Sequence, residues 1–217
     1  MSFAYAESQM TAFLPEQVHA VDVYGDLVAL DLRSGRYHCL PGLGDGFDPQ
    51  LPLAEPLAEA LARQGLGGGG ERPAARLAPA ARAQRDLPDG EGSRGPRLAA
   101  DMAAAHLAAN VRVRILSFSA ILDRVPAARP LPAAPERGLR DVRAFLQWLP
   151  WAPLQGRCLM RAAMLRTFLV RRGHPAPHWV FGVSTYPFAA HCWLQWGDMA
   201  LDDQVGRLVR YTPILAR

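Results

Sequence analysis

Between Gly156 and Tyr211 the spacing of apolar residues changes from three-and-four to two, a pattern that only a helix followed by a sheet satisfies. After Cys158, Ala162, Leu165 and Leu169 continue one helical face, and Met160, Met164 and Phe168 supply a second. The expectation is a helix buried on both sides, ended by Gly173 and His174-Pro175. His178–Ser184 then alternates, with Trp179, Phe181 and Val183 on one face. Beyond Thr185-Tyr186-Pro187 a second strand is predicted over Ala189–Trp196. Ala189, His191, Trp193 and Gln195 share one of its faces, and Ala190, Cys192 and Leu194 the other.

The residues on these elements carry chemistry. A cysteine in the first turn of a helix feels the positive end of the dipole and the unpaired N–H groups, both of which favour thiolate, and a thiolate is a competent nucleophile. His191 is the candidate base. A carboxylate must then orient the imidazole and stabilise its charged form, and both Asp202 and Asp203 lie beyond the Gly197-Asp198 turn. Register separates them: a two-residue turn puts Asp202 on the face of His191, and one extra turn residue or a bulge selects Asp203. Local reasoning leans to Asp202. Gln155, three residues before Cys158, is a candidate oxyanion donor. A metal centre is not expected, because strand parity sends His191 and Cys192 to opposite faces and the four-ligand spacings of zinc sites are missing.

The rest of the chain divides by composition. In residues 1–65, Val18–Tyr24, Asp26–Arg33 and Arg36–Leu40 read as three short strands with turn residues at Gly25 and Ser34-Gly35. A helix follows, with Leu57, Ala60 and Leu61 at helical spacing and Gly65 at its end. So small a module has a thin core, and its edge strand is either covered by the rest of the chain or takes up an added peptide strand. Residues 66–97, rich in Gly, Pro, Ala and Arg, read as a flexible linker. Their glycine cluster lacks the Lys-Ser/Thr of a phosphate loop. Residues 98–217 form the second domain. One long helix is expected over Leu98–Val125 (Leu98, Met102, Ala105, Ala109, Val113, Leu116, Ala120), and a second carries Leu139, Val142, Phe145, Leu146 and Leu149.

All 24 basic residues are arginine, whose planar fork suits carboxylates and so would fit an acidic peptide, although a GC-biased coding sequence is the better explanation of the bias. The net charge of +4 is modest, and no nucleic-acid partner is expected. The N-terminus lacks the pattern of a secretory signal, no apolar run is long enough to span a membrane, and three cysteines are an odd and sparse set. These features point to a reducing cytoplasm.

Gly-Arg-Cys158-Leu opening a helix, then Gly182-Val183, Pro187-Phe188-Ala-Ala-His191-Cys-Trp193, Leu201-Asp-Asp203 and Tyr211-Thr-Pro-Ile, together resemble the lasso-peptide biosynthesis B proteins. These are bacterial leader peptidases of the transglutaminase-like cysteine-protease superfamily. The resemblance runs from the first long helix to the C-terminus. It implies an α+β chain whose 98–217 domain is a transglutaminase/papain-like cysteine peptidase, with Cys158 as nucleophile, His191 as general base and acid, and Asp203 as orienter. In fused members the N-terminal part resembles a small winged-helix-like precursor-recognition element, which residues 1–65 match in plan. The leader would then dock on the third strand at Arg36, Tyr37 and His38, with Leu61 on the helix wall. The implied partners are a precursor peptide leader and an asparagine-synthetase-like cyclase. The chain itself needs no cofactor; the ATP linked to maturation belongs to the cyclase.

Overall fold

The computed structural model describes residues 12–67, 82–123, 135–152 and 158–217. They belong to two units, one drawn from Met1–Leu32 and Arg36–Leu77, the other from Arg33–Gly35 and Ala78–Arg217.

In the first unit β1 (Val18–Val23), β2 (Asp26–Asp31) and β3 (Arg36–Leu40) make an antiparallel meander in the order β1-β2-β3. Tyr24 and Gly25 form the turn between β1 and β2, with φ of 56° and 87°. Positive φ at both central residues matches the twist of the strands they join. Helix α1 (Glu55–Arg63) packs Leu57, Ala60 and Leu61 with Leu27, Ala29 and Leu40 of the sheet. Val28 and Leu30, on the other face of β2, are buried as well, so this strand carries apolar residues on both faces.

In the second unit α2 (Pro96–Ile115), α3 (Phe118–Asp123), α4 (Glu136–Trp148), a 3-10 turn at Leu149–Trp151 and α5 (Cys158–Arg171) precede a four-stranded antiparallel sheet. The sheet holds β4 (His178–Thr185), β5 (Phe188–Trp196), β6 (Met199–Ala200) and β7 (Thr212–Ala216) in the order β6-β5-β4-β7, with α6 (Val205–Leu208) between the last two. Helix α5 is the one the apolar spacing predicts. Met160, Met164 and Phe168 are buried, and so are Ala162, Leu165 and Leu169. It packs between α2 and β5.

Two expectations are revised. The single helix over Leu98–Val125 is two helices, because Leu116 is extended (φ −94°, ψ 147°) and the Ser117 hydroxyl accepts the Ala120 N–H at 3.3 Å, starting α3 afresh. The stripe Leu98, Met102, Ala105 and Ala109 is nevertheless the buried side of α2. Within the stretch whose composition reads as linker, residues 68–81 lie outside the described residues, but 84–93 are bonded to the second unit. Gln84 and Arg85 donate their N–H groups to the Asp198 carbonyl, and the Arg85 carbonyl accepts the Ala200 N–H, so this segment runs parallel along β6. The Arg85 guanidinium grips the Asp198 carboxylate at 2.6–3.0 Å. Arg143 donates to the Pro88 carbonyl at 2.8 Å, and the Ser93 N–H donates to the Arg140 carbonyl. Backbone groups make most of these bonds, and composition carries no trace of them.

The helices are tied by Asp141 on α4. Arg172 reaches its carboxylate at 2.9 Å and extends another nitrogen to Asp101 on α2 at 3.3 Å, while His174 Nε2 lies 2.7 Å from Asp141. Among the described residues no helix is long and apolar enough to cross a membrane.

Candidate active site

The site forms along one edge of β5. Strand β6 pairs only with Gln195 and Trp196, so among the described residues no strand covers that edge beside Cys192 and His191. Cys158, at the first described position of α5, lies against it. Its sulfur accepts the backbone N–H of Cys192 and is hydrogen-bonded to the side chains of both Cys192 and His191. The next N–H along the same edge, that of Leu194, goes to Asp202 Oδ1 at 2.8 Å. Parity does place the side chains of His191 and Cys192 on opposite faces, yet a group seated at the edge touches both.

His191 Nε2 lies 2.6 Å from Asp203 Oδ2. The imidazole is also held between rings, Trp193 at 6.1 Å and Tyr211 at 5.2 Å. Gly182 pairs with His191 across the sheet, and a Cβ there would fall 2.8 Å from the Trp193 indole and 3.0 Å from Tyr211. A larger residue at that position would have to displace the Trp193 indole or the Tyr211 Cβ.

Asp203, not Asp202, is therefore the carboxylate on the imidazole. The turn after β5 does have two residues, Gly197 and Asp198. Register does not select Asp202, because β6 ends at Ala200. Asp202 and Asp203 lie on bends beyond it, where alternation no longer decides which way a side chain points.

Charge follows from this geometry. Hydrogen bonds from the Cys192 side chain, from His191 and from the Cys192 N–H, with the imidazolium charge, bring Cys158 down to about 4 against the opposing effect of burial. Burial opposes the charged form of His191 too, but Asp203 and Cys158 raise it to about 9. Asp203, despite burial, is held at about 2 by His191, the Gln204 N–H and the charge of Arg207. Cys192 goes the other way, raised well above an ordinary thiol by its bond to Cys158 and by burial. At neutral pH the pair is thiolate and imidazolium, with Cys192 a neutral donor. Such a pair can attack a carbonyl carbon and return a proton to a leaving amine.

The other sequence candidates fall as follows. Gln155 lies outside the described residues. Arg36 is exposed on β3, Tyr37 and His38 are half-buried, and His38 Nδ1 is 3.3 Å from Gln64 Oε1 at the end of α1. Leu61 is corrected: it is 0 % exposed inside the α1–sheet cluster, so it supports the module and offers no surface to a peptide. Among the described residues no group of three or more His, Cys, Asp and Glu side chains is arranged to hold a metal ion. Sequence reasoning missed Cys192 as a neighbour of Cys158, and it missed Arg161. The latter had a signal, since i and i+3 from Cys158 share a helix side.

The sequence model of the Transglutaminase-like superfamily matches residues 103–216. The chain belongs to that superfamily. No curated protein and no solved structure matches it. The match takes in α5 and the whole second sheet, and a cysteine–histidine–aspartate arrangement in a transglutaminase-like domain fits a cysteine peptidase or an acyltransferase.

Proposed function

We propose that the chain is a cysteine leader peptidase that frees the core of a ribosomally made lasso-peptide precursor in the bacterial cytoplasm. The observation that carries this reading is Cys158 seated between His191 and the Cys192 N–H, with Asp203 2.6 Å behind the imidazole. The Cys158 thiolate attacks the carbonyl of the last leader residue, and the tetrahedral intermediate collapses to a thioester. His191 gives its proton to the departing core amine. It then takes a proton from the water that hydrolyses the thioester and releases the leader. Asp203 holds the imidazole and balances its charge.

The first unit is the leader-recognition module, winged-helix-like in plan. The leader adds as a strand to β3, an edge strand of its sheet, where Arg36, Tyr37 and His38 meet it. Because both units belong to one chain, a leader held by one stays at high effective concentration for the other. The freed amine is what an asparagine-synthetase-like cyclase, using ATP, would join to a carboxylate side chain. The chain itself works without a cofactor.

The test is to incubate the full chain with candidate precursor peptides and weigh the products. Two fragments whose masses sum to the precursor plus one water support peptidase action; a product one ammonia lighter than precursor plus amine points to acyl transfer instead. Cys158→Ala should retain leader binding and lose cleavage by more than ~10³-fold. Unchanged cleavage would make Cys158 structural and the chain a binding scaffold.

A further inference from the structure

Arg161 stands one turn beyond Cys158 on α5 and reaches two neighbouring carboxylates at once. Its Nε is 3.2 Å from Asp202 Oδ2, and another guanidinium nitrogen is 3.4 Å from Asp203 Oδ2. Neither carboxylate has appreciable contact with water: the side chains of Asp202 and Asp203 are 0 % and 5 % exposed. Two adjacent carboxylates at such depth repel one another, and burying either without a counter-charge is costly. The Asp203 oxygen that Arg161 touches is the one that also meets His191 Nε2. The oxygen of Asp202 not facing Arg161 is fixed by the Leu194 N–H at the β5 edge.

We propose that Arg161 is a positioning residue that clamps the Asp202–Asp203 turn to the helix bearing Cys158, so that Asp203 meets His191 while Asp202 serves as the anchor. This rests on the Cys158–His191–Asp203 reading and adds a fourth member that touches no substrate. The planar fork makes the clamp possible, because one guanidinium bonds both carboxylates from a single helical position. Arg207 of α6 also faces Asp203, on its other oxygen and at 3.9 Å. Around the Asp203 carboxylate, then, stand Arg161 from α5, His191 from β5, Arg207 from α6 and the neighbouring Asp202. Cys158 and Cys192 lie beyond the imidazole.

Removing the guanidinium takes away a positive charge that favours the thiolate and frees Asp203 to leave His191. Once Asp203 no longer holds it, the imidazole loosens its bond to the Cys158 sulfur, and the loss of that bond together with the loss of the nearby positive charge raises the pH at which Cys158 ionises. The experiment is alkylation of the full-length chain by iodoacetamide from pH 4 to 10, read at Cys158 by peptide mass spectrometry, with exposed Cys39 as internal reference. Arg161→Gln should move the Cys158 midpoint upward by about one pH unit. Arg161→Lys, which keeps the charge but not the fork, should move it less and in the same direction. A purely structural arginine would lower the melting temperature and leave the midpoint in place. A folded Arg161→Gln protein with an unmoved midpoint overturns the proposal. If that variant does not fold, an unmoved midpoint in Arg161→Lys does the same. A wild-type Cys158 that titrates like Cys39 sinks the thiolate–imidazolium reading itself, a result distinct from either.

Discussion

The second unit contains the same chemical pair twice. His191 lies 2.6 Å from Asp203, and His174 lies 2.7 Å from Asp141. Both carboxylates are nearly out of water and both also accept bonds from an arginine, Arg161 in one case and Arg172 in the other. What differs is the far side of the imidazole. His191 has Cys158 there, whereas His174 rests edge-on against the Trp196 ring at 6.4 Å. A histidine–aspartate pair is thus no marker of catalysis by itself. With a thiol it polarises a nucleophile; with an arginine and a second helix it pins helices together, and Asp141 joins α4 to the end of α5 and, through Arg172, to α2.

Exchanging aspartate for asparagine in each pair should break the comparison in opposite ways. Asp203→Asn should cut precursor cleavage by about 10²–10⁴-fold with little loss of fold, as expected when an imidazole loses its charge partner and tautomer. Assays on purified, circular-dichroism-checked protein would show it. Equal losses for Asp202→Asn and Asp203→Asn would mean the placement of Asp203 on His191 is not what sets the rate.

The second effect is one of pH. The Cys158 thiolate exists above about 4 and the His191 imidazolium below about 9, so the reactive ion pair spans the interval between them. Alkylation of Cys158 should therefore be nearly level from pH 5 to 8. Cys39, an exposed residue whose thiol is raised by slight desolvation of its sulfur and by the Asp26 charge, should gain about tenfold per pH unit over the same range. Parallel profiles for the two cysteines would remove the distinction between His191 and an ordinary buried histidine.

The smallest expected effect on chemistry, and a clear one on stability, comes from the other pair. Asp141→Asn should cost about 2 kcal/mol, because it leaves Arg172 with only the half-buried Asp101 as counter-charge and takes the charged acceptor from His174. The Cys158 alkylation profile should stay where it was. Burial opposes the Asp141 charge, but bonds from Arg172, Ser93 and His174 hold the carboxyl below its usual value. Its contribution to stability is therefore present above the ordinary aspartate pKa and lost as pH falls through the lowered one. Urea unfolding at pH 7 and pH 3 would show it, with the wild-type advantage over Asp141→Asn shrinking in acid.

Much of this was legible in the residues. Apolar spacing located α5 and its two buried faces, strand alternation located β4 and β5, and turn chemistry located the meander of the first unit. Cys158 and His191 stood out because a cysteine opening a helix and a histidine within a strand are local facts. Leu61 misled for a physical reason: a leucine on a helix looks the same in sequence whether its face meets a sheet or a ligand. The segment 84–93 was invisible because backbone groups make most of its bonds to β6 and α4, and those groups are common to nearly every residue type.

The two aspartates mark the boundary between the two kinds of information. Sequence determined that a carboxylate would lie just past the turn after β5, within reach of His191. It could not say which, since alternation holds only while a strand continues and β6 stops after Ala200. Beyond that point direction is set by what the side chains bond: Asp202 takes the open N–H of Leu194, Arg161 reaches over from α5 to both carboxylates, and Asp203 is left facing the imidazole. Those partners lie 8 to 42 residues away along the chain, and only folding brings them together.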